Sequence, residues 1–323
     1  MKKPLIILAG PTGVGKTKLS ISLAKTVNGE VISADSMQVY KKMNIGTAKI
    51  RPEEMQGVSH HLIDILEPDE EFNVVLFAEY AKKACEECYV KGKIPILVGG
   101  TGFYIQALLY DIDFTENDDD KTYRYHLEQL AEEMGNEYLH NMLKKVDPKA
   151  AENIHPNNRK RVIRALEFFE KSGQKISEHN EEQQGKKSPY EYAYFVLTDE
   201  RNLLYDRINL RVDQMLEEGL AEEVGNLLNA GISRDTVSMQ GLGYKEIAAY
   251  LYGECSYEEA VYILKRDTRH FAKRQLTWFK REKEAIFINR SDFKQNETTI
   301  LNKMLDILNE KEIITGDYNE RKN

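Results

Sequence analysis

One short stretch, ILAGPTGVGKTKLS (residues 7–20), constrains the fold more than any other part of the chain. A strand-sized apolar run leads into a loop with glycines at 10, 13 and 15, and a helical pattern starts at Lys16. Gly10, Gly15, Lys16 and Thr17 fit the spacing G-x-x-x-x-G-K-[ST], in the strand-then-helix context that this motif requires. Gly13 and Gly15 let the backbone bend so that amide hydrogens point at phosphate oxygens. Lys16 adds a mobile positive charge, and the Thr17 hydroxyl can hold Mg²⁺ at the start of the helix. Phosphate binding leaves the reaction open, because kinases, ATPases and group transferases all use such loops.

The rest of the chain repeats the strand-and-helix alternation. PLIILAG, EVISADS, HHLIDIL and IPILVGG are short apolar or alternating runs with helix-length segments between several of them, which predicts a parallel sheet flanked by helices. After GTGFYIQALLYDIDF the texture changes. An acidic, turn-prone TENDDDKT introduces helical patterns from about Tyr123 to Gln174, then KISEHNEEQQGKKSP reads as polar and mobile. YEYAYFVLT returns the chain to the sheet, so the helical segment is an insertion. The expected organisation is an α/β, P-loop NTPase-like doubly wound parallel sheet formed by residues 1–113 and 190–290. Residues 114–189 form the helical insertion, and 291–323 a C-terminal segment whose end frays.

The 323 residues are 41% hydrophobic and 30% charged, enough chain for a sizeable core. No apolar stretch approaches a membrane span, and no cationic-then-apolar leader opens the chain, so the expectation is a cytoplasmic protein without membrane contact. Cys85, Cys88 and Cys255 are too few and too unevenly placed for a disulfide framework. Cys85 and Cys88 sit in an amphipathic helical pattern and read as core rather than as metal ligands. The net charge of −8 argues against polyanion binding over the whole surface but leaves room for a local basic site.

Two further strand ends narrow the chemistry. Asp35 and Ser36 follow the second strand, and Gly99, Gly100, Thr101 and Gly102 follow a later one, both on the edge that carries the phosphate loop. A carboxylate there can bind Mg²⁺ or accept a proton. With these pieces, the chain resembles the bacterial tRNA dimethylallyltransferase (tRNA isopentenyltransferase) family. The matching stretches are GPTGVGKT, ADSMQVYKKMNIGTAK, HHLIDI, GGTGFY, NNRKRVIRALE, RINLRVDQML, QGLGYKE and KRQLTWFKR, spread over nearly the whole length. A C-terminal zinc finger of the longer eukaryotic form is not among them.

The resemblance implies that Gly10, Pro11, Thr12, Gly13, Val14, Gly15, Lys16 and Thr17 hold the diphosphate of dimethylallyl diphosphate, which departs whole, with Mg²⁺ at Thr17. It implies catalytic roles for Asp35, Thr17, Thr101 and Arg211, with Arg211 clamping the diphosphate and Arg207 as the second candidate. Asp35 is expected to take a proton from an adenine amine. It further implies that Ser36, Met37, Gln38, Gln240, Gly243, Tyr244 and Lys245 approach the tRNA, Gln38 at an adenine edge, and that His60 stands nearer the site than His61. The insertion's Arg124, Arg159, Lys160 and Arg161, with Arg164 beside them, are placed near the anticodon stem-loop.

The basic stretch LKRDTRHFAKRQLTWFKREK can also be read without the resemblance. Lys265, Arg269 and Lys273 recur every four residues, as do Arg266, His270 and Arg274, and eight Lys or Arg between 265 and 283 face only two acids. That pattern predicts a helix with a cationic face for a phosphate backbone, with Trp278 as a core anchor. A target adenine stacked in an anticodon loop must be extruded to reach a site on a sheet edge. A free adenine nucleotide as acceptor, or a small-molecule kinase, would need neither the insertion nor the basic helix. The expected partners are therefore tRNA and dimethylallyl diphosphate, acting on a monomer.

Overall fold

The computed structural model describes residues 2–114 and 122–314. They fall into two compact units, residues 2–109 with 189–314, and residues 110–114 with 122–188. The acidic stretch at 115–121 and the tail from 315 lie outside the described residues.

The first unit opens with β1 (Lys3–Ala9), α1 (Lys16–Val27), β2 (Gly29–Ala34), β3 (His60–His61), α2 (Val74–Val90), β4 (Ile94–Gly99) and α3 (Gly102–Leu109). All six strands of its sheet are parallel, in the order β3-β2-β4-β1-β5-β6, where β5 is Tyr190–Thr198 and β6 is Ala285–Asn289. Leu5–Ala9 of the central β1 are fully buried, as the unbroken apolar run requires of a strand covered on both faces. Ile6 and Leu8 pack into a core with Leu19 and Leu23 of α1. Alternation turns Leu5 and Ile7 to the other face, where α2 and α3 meet through stacked Phe77 and Tyr104, 4.5 Å between centroids. The chain passes from β1 over β4 to β2, and later returns to β5 on β1's other side. The crevice of such a sheet lies at the carboxyl ends around that reversal.

HHLIDIL contributes only His60 and His61 to the ladder. Leu62 and Asp64 take positive φ (62° and 54°) and end the strand at once. AIFIN (β6) was missed by pattern because it is a short edge strand of mixed burial.

The second unit contains α4 (Thr122–Met134), α5 (Asn136–Val146), α6 (Pro148–Asn153), α7 (Arg159–Ser172) and α8 (Ile176–Gln184) around Leu127, Leu139, Leu143, Val162 and Leu166. Within the polar stretch expected to be mobile, Ile176–Gln184 form the helix α8. Its start is pinned by Asp147, 1% exposed, which accepts from the Ser177 amide at 2.9 Å and hydroxyl at 2.7 Å while capping α6 at Ala150.

The first unit resumes with β5, α9 (Arg201–Glu217), α10 (Leu220–Asn229), α11 (Tyr244–Leu251), α12 (Tyr257–Phe279), β6 and α13 (Glu297–Glu310). Residues 291–310 are not a separate segment. Ile300, Met304, Leu305 and Leu308 of α13 are buried in the same core as α1. We expect Met304→Ala to cost about 2–5 kcal/mol of stability, read by urea denaturation; a loss under 0.5 kcal/mol would mean that α13 is dispensable to the core.

Candidate active site

The loop after β1 holds a conformation that needs glycine: φ is 148° at Gly10, 76° at Gly13 and 95° at Gly15. Gly15 is the N-cap of α1, which aims the first-turn amides of the helix at the sheet edge. The Lys16 ammonium donates to the Gly10 and Pro11 carbonyls, both at 2.8 Å. Burial, then the nearby Arg211 guanidinium, depress its pKa to about 7, against an opposing pull from Asp35. Thr17 is exposed in the first turn of the helix.

Asp35 follows β2 directly. One of its carboxylate oxygens accepts from the Met37 amide at 2.8 Å and the Gln38 amide at 3.3 Å, fixing the side chain in a turn. Among the described residues no protein donor meets the other oxygen. Thr101 stands after β4, its amide bonded to Ala34 O at 3.3 Å. Gln275 of α12 ties the phosphate loop to the β4 turn, accepting from the Thr12 amide at 2.9 Å and donating to Gly100 O at 3.0 Å.

Thr12, Asp35, Ser36, Met37, Thr101 and Arg211 line a cavity of about 350 Å³, together with Gln240, Gly243, Tyr244, Lys245 and Arg274. Ile208, Val212, Met215, Leu242, Leu264 and Phe271 supply apolar wall. A mostly apolar pocket with a few convergent polar groups is the usual form of a small-molecule site. The sequence reading named the polar members but not this apolar wall, nor Thr47 and Ala48. Apolar residues on a helix look like core, and only the tertiary fold turns these toward a ligand. The loop bearing Thr47 is held by Glu223, which accepts from the amides of Asn44, Ile45 and Gly46 at 2.8–3.1 Å.

The two arginine candidates separate. Arg211 reaches the cavity, where burial lowers and Asp35 raises its proton affinity, the first prevailing. Arg207, one turn earlier, pairs with Asp199 and donates to Gly13 O at 3.1 Å.

Several other expected positions have different surroundings from those anticipated. Tyr244 is fully buried in the cavity wall, its hydroxyl donating to Glu223 at 2.6 Å. The Gln38 side-chain amide accepts from Ser33 Oγ (3.2 Å) and donates to Thr47 O (3.3 Å), and Gln38 itself is not among the cavity-lining residues. The face of α12 is only partly free: Lys265 pairs with Asp213 at 2.5 Å, Arg269 donates to Asn209 at 2.6 Å, and Arg266 pairs with Asp267, while Lys273 is exposed. In the second unit Arg124 is bidentate to Glu167 at 3.0 and 2.7 Å, Arg159 meets Glu132 at 3.4 Å, and Lys160 and Arg161 are exposed.

Neither His60 nor His61 lines the cavity. His61 Nε2–H donates to Glu30 at 2.7 Å, at the end of β2 remote from Asp35, and Cys88 Sγ lies 3.7 Å from the same carboxylate. Among the described residues this is the one Cys/His/acid group with metal-ligand spacing. Lys91 and Lys93 lie on Glu30 at 3.2 and 3.0 Å and make it an ion-pair hub.

Phosphate loop, carboxylate and apolar cavity, gathered on the carboxyl edge of a parallel sheet, define a P-loop-type transferase rather than a binding module. A family profile described as IPP transferase matches residues 38–282, and one described as Isopentenyl transferase matches 3–71. A tRNA dimethylallyltransferase of Lachnoclostridium phytofermentans is 65% identical over 312 residues, 97% of this chain and 99% of that relative. One from Acetivibrio thermocellus is 53% identical over 298 residues, 92% and 95% of the two chains. Among solved structures, the full-length tRNA isopentenylpyrophosphate transferase of Bacillus halodurans aligns with a TM-score of 0.72 at 47% identity, covering 96% of this chain and 98% of its own. A eukaryotic dimethylallyltransferase studied acting on tRNA aligns at 0.84 and 32% identity, covering 98% and 82%. The chain belongs to the tRNA dimethylallyltransferase family and is a prenyltransferase.

The depressed Lys16 has a measurable consequence. In the free protein burial favours the neutral amine as pH rises above about 7, and a diphosphate beside it restores the charged form. Binding of dimethylallyl diphosphate without tRNA should therefore take up more protons at pH 8 than at pH 6, once the uptake by Lys16→Ala, which carries the ligand's own ionisation, is subtracted. Calorimetry in buffers of different ionisation heat measures this; equal uptake at both pH values would contradict it.

Proposed function

We propose that this protein transfers the dimethylallyl group from dimethylallyl diphosphate to the exocyclic amine of the adenosine immediately 3′ of the anticodon in tRNA, releasing diphosphate. The observation that carries this reading is a single cavity where an apolar wall meets Asp35, Arg211 and the edge of the phosphate loop. The apolar wall suits a short hydrocarbon, and the loop suits its diphosphate.

The allylic carbon–oxygen bond breaks and its electron pair leaves with the diphosphate. Loop amides, Lys16 and Arg211 are already set to stabilise that charge. The adenine amine forms the new carbon–nitrogen bond and loses a proton, which the free oxygen of Asp35 accepts. Thr101 borders the same space. Thr17 offers a hydroxyl, a hard oxygen donor of the kind Mg²⁺ accepts alongside water and phosphate oxygens. Bound there, the ion would neutralise charge on the diphosphate.

On the RNA side, Lys160 and Arg161 of the helical unit and Lys273 of α12 are exposed cations suited to phosphate contacts. We assign the helical unit to the anticodon arm and read the protein as a cytoplasmic monomer. No helix among the described residues is long and apolar enough to cross a membrane.

Radiolabelled dimethylallyl diphosphate with Mg²⁺ and either tRNA or AMP tests the acceptor. Label should enter tRNA alone; label in AMP would move the reading to a free-nucleotide transferase. Asp35→Ala should slow single-turnover transfer by roughly 10²–10⁴-fold with both substrates still bound. A variant as fast as the parent would remove Asp35 as the base.

A further inference from the structure

Beside the phosphate loop, outside the cavity lining, stands a charge network built on one buried carboxylate and on Arg207, whose side chain is 34% exposed. Asp199, directly after β5, has a fully buried side chain. A carboxylate in that position is costly unless its lone pairs are filled, and here they are. It accepts from Ser291 Oγ at 2.6 Å, from Gln295 Nε2 at 3.0 Å and from the Glu200 amide at 2.8 Å, and it pairs with Arg207. Burial alone pushes its carboxyl up, but these hydrogen bonds outweigh that and hold it below the ordinary value. Arg207, so fixed, donates Nε–H to the Gly13 carbonyl at 3.1 Å. A second guanidinium, Arg290, donates to Gln295 at 2.9 Å and lies against Gly15, where an added Cβ would come within 2.6 Å of its Nη1.

The Gly13 carbonyl and the Val14 N–H belong to one planar trans peptide and point in opposite directions. A guanidinium that holds the carbonyl on the outer side thereby turns the Val14 N–H to the inner side of the loop. We propose that Asp199, acting through Arg207, is a positioning residue that presents the loop's amide hydrogens to the diphosphate. This rests on the diphosphate reading of the loop given above. Neither Asp199 nor Arg207 needs to touch the substrate, and in this geometry Arg207 serves the loop while Arg211 serves the cavity.

The test is calorimetric binding of dimethylallyl diphosphate with Mg²⁺ and no tRNA, to the full chain and to Asp199→Asn, Arg207→Gln, their double variant and Lys16→Ala. Removing either member should weaken binding by about 10- to 100-fold, the scale of a charge-assisted hydrogen bond. Because the two act in series, the double variant should be no weaker than the worse single one. Affinity for tRNA should stay within twofold. Should Asp199→Asn not fold, Ser291→Ala, which removes one donor to the same carboxylate, takes its place in the cycle. Asp199→Asn binding as tightly as the parent, or fully additive losses, would overturn the proposal while Lys16→Ala is impaired. Unchanged binding by Lys16→Ala as well would instead remove the diphosphate reading of the loop.

Discussion

The site depends on the backbone of residues 10–15 being held in a shape that side chains resist. Three positive φ values within six residues are sterically open to glycine, which loses the most conformational entropy when fixed, so the sheet and its helices must hold that shape. β1 anchors the loop at one end and α1 at the other. Gln275 and Arg207 grip it from α12 and α9 through Thr12 and Gly13. In the proposed reaction this rigidity matters because a departing diphosphate develops its charge faster than a soft loop could reorganise around it. Dipoles fixed beforehand need no reorganisation.

How well the sequence could be read followed from distance along the chain. The loop, Asp35 and Thr101 each lie within a few residues of a strand end, so recognising the strand places the residue. The central strands of the parallel sheet were legible as apolar runs, whereas the edge strands β3, two histidines, and β6, of mixed burial, were not. Neither was the apolar cavity wall. Met215, Leu264 and Phe271 sit on helices far along the chain, and nothing in a local pattern separates a helical apolar residue that packs from one that meets a ligand. Arg207 and Arg211 are one turn apart and equivalent in sequence, yet Asp199 captures the first and the second reaches the cavity.

The charged segments show the same limit. The four-residue recurrence on α12 describes a helix face correctly but cannot reveal that Asp213 and Asn209 of α9 occupy part of it. In the other unit, the stretch 175–189 has a composition poor in apolar residues, yet Ile176–Gln184 within it are helical, with one buried aspartate, Asp147, receiving the start of α8. An expectation drawn from composition alone thus missed that tertiary contact.

The central claim is that the loop holds a leaving group, so that the bond broken is carbon–oxygen and not oxygen–phosphorus. Dimethylallyl diphosphate carrying ¹⁸O in the bridging position distinguishes the two. After turnover with tRNA, ³¹P NMR of the released diphosphate should show the heavy isotope retained on phosphorus. Diphosphate free of ¹⁸O, with the label kept on the five-carbon group, would contradict the account.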